Sequence, residues 1–135
     1  MSYDVMIVDD AVMMRTVVAN LVRTMPEFKI VATAENGKKA LELLGKFPDI
    51  KIILLDIEMP EMDGLEFLRH AKLRTRAKIV VLSSVAVAGS PQAAKARELG
   101  ADAIVTKPSG AVSFDLAQKR GSELGQIMKR LVGAA

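Results

Sequence analysis

The chain has 135 residues, half of them hydrophobic, which suits one domain with a sizeable core. It contains no cysteine, which excludes a disulfide framework or a thiolate metal site and fits a reducing cytoplasm. The net charge of +3 is slight for a nucleic-acid binder, no apolar run approaches the roughly 20 residues of a bilayer span, and Met1-Ser2-Tyr3-Asp4 does not begin a signal peptide; a soluble cytoplasmic protein without nucleic-acid contact or membrane insertion is expected.

Short β-type runs alternate with helical patterns five times. Tyr3–Asp9 reads as a strand. Val12–Met25 reads as a helix with Met14, Val17, Val18, Leu21, Val22 and Met25 on one stripe, stopped by Pro26. Phe28–Thr33 is a second strand. Lys38–Phe47 is a second helix, striped by Ala40, Leu43, Leu44 and Phe47. Lys51–Asp56 is apolar through its centre, as a strand covered on both faces should be.

After the loop Glu58–Asp63 comes a helix over Gly64–Leu73, then a buried strand over Lys78–Ser83. Pro91–Leu99 is a weaker, alanine-rich helix, with Gly100 placed to end it. Its alanines bury little area, so it is expected to be the mobile element. Asp102–Thr106 is the fifth strand. Asp115 to Val132 is the last helix, striped by Leu124, Ile127, Met128 and Leu131.

Strict β–α alternation implies a parallel sheet covered on both faces. A closed eight-stranded barrel needs about 200 residues or more, so an open doubly wound sheet remains. Such sheets bind ligands beyond their strand C-termini.

Four strand ends therefore share one edge. Asp9-Asp10 follow the first apolar run, Asp56 the third, Ser83 the fourth and Lys107 the fifth. Close carboxylates repel, and a Mg²⁺ ion with oxygen ligands relieves that repulsion. Asp9-Asp10 can equally cap the helix at Val12, and one Asp can do each job. An Asp56 oxygen can attack phosphorus to form an acyl phosphate, with Mg²⁺, Lys107 and Ser83 around the phosphoryl oxygens. Alone, Lys107 reads as a surface lysine and Ser83 as a turn residue. Together, each at a different strand end, they read as a site. The Lys107-Pro108 bond can adopt cis, which would aim Lys107 inward.

The set Asp9-Asp10, Asp56-Ile57-Glu58-Met59-Pro60-Glu61-Met62-Asp63-Gly64, Ser83-Ser84 and Lys107-Pro108 resembles the receiver domain of two-component response regulators. The resemblance covers nearly the whole chain, residues 1–135, as a single receiver domain. It implies a flavodoxin-like (βα)5 sheet of strand order 2-1-3-4-5. It implies Asp56 as phosphoacceptor, and Asp10, Asp56 and the backbone carbonyl of Glu58 as Mg²⁺ ligands supported by Asp9. Ser83 and Lys107 would contact the phosphoryl group, and a histidine kinase would be the donor.

Two further stretches narrow the resemblance to the receiver of the chemotaxis protein-glutamate methylesterase. They are Glu58-Met59-Pro60 with Asp63–Leu68, and Val105–Gly110; the loop Ser83–Ser90 agrees. In that family the receiver precedes an esterase domain, an output partner. This chain has no Gly-x-Ser-x-Gly nucleophile turn, so its own chemistry would be limited to phosphorylation and dephosphorylation of Asp56. The regulatory domain of a methylesterase and a stand-alone chemotaxis switch are both open.

Other readings compete. A phosphatase of the haloacid dehalogenase type wants an aspartate where Glu58 stands. A pseudo-receiver fits poorly with the complete residue set. A nucleotide-binding Rossmann domain lacks its glycines. One departure from the receiver pattern stands out: Ile104 occupies the usual aromatic switch position, where a branched aliphatic cannot act as a swinging ring. The basic stretch Arg69, His70, Lys72, Arg74, Arg76 and Lys78 reads as a solvated helix face with its exit loop, or as a patch that meets an acidic partner.

Overall fold

The computed structural model describes residues 2–57, 64–83, 91–106 and 114–133, with backbone alone for Gln92, Thr106 and residues 114–122. Five strands and five helices alternate: β1 Tyr3–Val8, α1 Val12–Arg23, β2 Phe28–Ala34, α2 Gly37–Lys46, β3 Ile50–Asp56, α3 Gly64–Ala71, β4 Lys78–Ser83, α4 Pro91–Glu98, β5 Ala103–Thr106 and α5 Phe114–Val132. The strands form one parallel sheet in the order β2-β1-β3-β4-β5, as expected.

Period-two alternation sorts the side chains onto two faces. Met6, Val8, Ile53, Leu55, Ile79 and Val81 face one side, where Ala40, Leu44, Phe67, Leu68 and Ala96 from α2, α3 and α4 cover them. Val5, Ile7, Ile52, Leu54, Val80 and Leu82 face the other, under Val18, Val22, Leu124 and Met128 of α1 and α5. The central strands are therefore apolar on both faces, which is the pattern visible in their sequence.

Several helix ends differ from the sequence reading for local reasons. α1 stops at Arg23, two residues short of Met25. Thr24 closes it with a backbone N–H bonded to the Leu21 carbonyl and a hydroxyl bonded to the same carbonyl at 2.6 Å, while the Met25 N–H bonds the Val22 carbonyl. Met25 still packs in the core, as the stripe predicted. α2 begins at Gly37 because the Asn36 side chain accepts from the Lys39 N–H at 2.8 Å, a helix N-cap.

α3 ends at Ala71, since Leu73 N–H turns to His70 and Arg74 N–H to Ala71; Leu73 is left 84% exposed. α4 ends as predicted. Gly100 takes φ +108°, Gly100 N–H bonds the Arg97 carbonyl and Ala101 N–H bonds Ala96, a glycine-dependent Schellman stop. α4 buries Ala93 and Ala96, so its alanines do serve the core, though with little area each. No described helix is long and apolar enough to cross a membrane.

Candidate functional site

The acidic residues stand where the strands end. Asp56 is the last residue of β3, and Asp9 follows β1, its neighbour in the sheet. Asp56 shares parity with Ile52 and Leu54, and Asp9 with Val5 and Ile7, so both continue the rows that face α1 and α5. Both are nearly sealed, with 2% of Asp9 and 1% of Asp56 exposed. Asp10 lies one residue further, in the loop, and is exposed. The turn out of β1 brings all three together: one carboxylate oxygen from each lies within 4.8 Å of the others.

Asp9 also builds the loop that presents Asp10. Its Oδ1 accepts the Ala11 N–H at 2.9 Å, and its backbone carbonyl accepts from the Arg15 guanidinium at 2.6 Å. The expected helix cap takes a different form. The residue at the N-cap is Ala11, which has no side-chain cap bond; Asp9 instead pins the turn before α1. The sequence reading did not anticipate Arg15. The available signal was a basic residue one turn into the helix that follows two aspartates.

Ser83, 2% exposed, ends β4 next to β3, where Leu82 pairs with Asp56. It stands at the same edge as the carboxylates. Lys107, Glu58 and the Lys107-Pro108 bond lie outside the described residues. Ile104 pairs with Val81 and packs, partly buried, against the α2–α3–α4 face.

Gly64 opens α3 against this edge. A Cβ there would sit 2.3 Å from the Ile57 Cα and 2.5 Å from the Asp56 carbonyl oxygen, both backbone atoms that cannot step aside. Only glycine lets α3 come this close to the strand end that carries Asp56.

The donor set suits a small hard cation. Three carboxylates offer oxygen alone, and their spread is within what one divalent ion gathers with little side-chain motion. Buried like charges at this spacing gain from such an ion.

Comparison with known proteins agrees. The profile of the response regulator receiver domain matches residues 5–116. A protein-glutamate methylesterase/protein-glutamine glutaminase of Treponema denticola is 44% identical over 114 residues, 83% of this chain and 30% of that protein. The corresponding protein of Halalkalibacterium halodurans is 39% identical over 86% of this chain and 33% of its own length. The chain thus spans about a third of the length of these curated relatives.

Among solved structures, a chain in the complex of the P1 domain of CheA3 with CheY6 from R. sphaeroides is 61% identical, covers 98% of both chains and superposes with a TM-score of 0.82. The response regulator domain of Thermotoga maritima CheB is 28% identical over 97% of both chains, with a TM-score of 0.83. The carboxylate edge, the 2-1-3-4-5 sheet and these matches place the chain in the response regulator receiver family: it is a receiver domain of two-component signal transduction, with chemotaxis proteins as its relatives.

Proposed function

We propose that the domain is a phosphorylation switch whose acceptor is Asp56. The observation that carries the reading is the burial of Asp56 at the end of a central strand, within reach of the Asp9 and Asp10 carboxylates. Asp10 and Asp56 are the side chains that would hold Mg²⁺ in this reading, the Glu58 backbone carbonyl would be the third protein ligand, and Asp9 would support Asp10. Mg²⁺, when bound, supplies positive charge to the carboxylates and to the phosphoryl oxygens.

An ionised Asp56 oxygen attacks phosphorus. The new O–P bond forms as the donor's N–P bond breaks, and the electron pair of that bond leaves on the donor imidazole nitrogen, which takes a proton from water. Lys107 and Ser83 receive the remaining phosphoryl oxygens. Attack by water on the same phosphorus later returns free phosphate and the Asp56 carboxylate.

A histidine kinase is the donor in this reading. Support comes from a similar chain, 48% identical over 92% of this one with a TM-score of 0.64, in the complex of CheY6 with the phosphorylated P1 domain of CheA3. A cytoplasmic location belongs to the same proposal. Incubation with acetyl phosphate and Mg²⁺ tests it by intact mass. The wild-type chain should gain one phosphoryl group and Asp56→Asn none. An unchanged wild-type mass overturns the reading.

Two outputs remain. The curated relatives at 39–44% identity favour the regulatory domain of a methylesterase. The 61% match covering 98% of both chains favours a stand-alone chemotaxis switch. An immunoblot of the native protein distinguishes them: a band at 14.6 kDa supports the stand-alone switch, and a band several-fold larger supports the esterase-linked form.

A further inference from the structure

At the opposite end of the sheet lies a second recess, of about 270 Å³, lined by Leu44, Pro48, Ile50, Lys51, Arg74, Thr75, Arg76 and Ala77. It forms because β3 starts ahead of β4. Ile52 is the first β3 residue to pair with β4, opposite Lys78, so Ile50 and Lys51 project past β4 and the chain from Arg74 to Ala77 passes beside them. Buried Leu44, Ile50 and Ala77 make the floor. Lys51, Arg74 and Arg76, all exposed, bring three positive charges to the rim.

Some lysines are matched, whereas Lys29, Lys38, Lys46 and Lys78 have no ion-pair partner among the described residues, so what marks this recess is that its cations converge. Lys39, Lys72, Lys95 and Lys129 each meet a carboxylate within 4.0 Å. Lys72 belongs to the same basic stretch as the two arginines, yet Asp102 takes it. Among the described residues, none of Lys51, Arg74 and Arg76 has an ion-pair partner, and Asp49, exposed beside Pro48, pairs with none of them. Three like charges around one recess add their potentials there, which favours an anion. Thr75 adds a donor: its Oγ1 accepts the Ala77 N–H at 3.1 Å, and its own proton remains to give.

We propose that this recess binds a phosphate-bearing anion. Two guanidinium forks match phosphate oxygens in geometry as well as charge, and the lysine and hydroxyl complete the set. The volume of about 270 Å³ accommodates a phosphate or pyrophosphate group. Lys51 and Asp56 lie at opposite ends of β3, about 17 Å apart along the strand, so an anion here does not compete with phosphorylation.

The test is a titration of the ¹⁵N-labelled chain with inorganic pyrophosphate in the absence of Mg²⁺. Saturable amide shifts confined to residues 49–51 and 74–77 are expected. The double variant Arg74→Ala/Arg76→Ala should weaken binding at least tenfold while acetyl phosphate still labels Asp56, and Lys51→Ala should weaken it less. Failure to saturate at millimolar pyrophosphate overturns the proposal. So do equal shifts around Lys38 and Lys39, or undiminished binding by the double variant. A phosphoserine peptide in the second arm identifies the source: tighter binding than pyrophosphate assigns the site to a phosphorylated protein, weaker binding to a free phosphate compound.

Discussion

The two ends of one sheet carry opposite charge and are built in opposite ways. At the C-terminal ends, Asp9, Asp56 and Ser83 are buried, and the carboxylates are crowded together. At the N-terminal ends, the charges of Lys51, Arg74, Arg76 and Lys78 stand in solvent. Water screens exposed charges and leaves buried ones strongly coupled. The acidic end is therefore organised for chemistry at the expense of stability, whereas the basic end costs the fold little. Substitutions at the first end should change phosphorylation, and substitutions at the second should leave it unchanged.

The largest expected effect is at the acidic end. Gly64→Ala places a methyl group on immovable backbone beside Asp56. It should destabilise the domain by about 3 kcal/mol, the upper part of the overpacking range, and slow labelling by acetyl phosphate. A urea midpoint and a labelling time course measure both. Unchanged labelling in a variant that is still folded would break the link between α3 and the site.

Next comes the opposite end. Asp102 Oδ2 accepts the Ile79 N–H at 2.8 Å, meets Lys72 at 3.4 Å, and its own N–H bonds the Ile79 carbonyl at 2.8 Å. Asp102→Ala strands the N–H of a fully buried residue and should cost about 2 kcal/mol by denaturant unfolding. Asp102→Asn, which keeps an acceptor, should recover most of it. Phosphorylation should not change in either.

A smaller effect has the opposite sign. Without divalent cation, Asp56→Asn removes one of three crowded carboxylates and should raise stability by on the order of 1 kcal/mol at neutral pH. Thermal unfolding checks this, and a loss of stability would mean that the Asp56 charge is better satisfied than repelled.

The smallest effect concerns Glu27, just before β2. The Lys129 ammonium of α5 donates to it at 2.9 Å and holds its carboxyl below the ordinary value of 4.5. A carboxyl depressed in the fold contributes stability above its unfolded value and loses it as pH falls through the lower folded value. The stability difference between wild type and Lys129→Met should therefore shrink as pH drops below 4.5, in a series of denaturant curves.

Much of this was legible in the chain. Val5–Val8, Ile52–Leu55 and Ile79–Leu82 announce strands buried on both faces, and alternation with helical stripes then allows few topologies. Asp9, Asp10, Asp56 and Ser83 were identifiable because a parallel sheet gathers strand ends at one edge whatever the loops do. Arg15, Asp102 and the close approach at Gly64 were not. Each acts through a partner distant in sequence or on another element, and no local periodicity records such a pairing.

The basic stretch shows the same division. Residues 69 to 78 are visibly cationic, but nothing local separates Lys72, which Asp102 claims, from Arg74 and Arg76, which line a recess with Lys51. The sequence by itself determined a parallel sheet covered on both faces and the edge where the carboxylates meet, because those follow from local hydrophobic pattern and strand polarity, while the strand order came from the motif resemblance. Only the tertiary structure decided which charges are matched and which are left together, because that depends on distances between groups that the chain brings close only when it is folded.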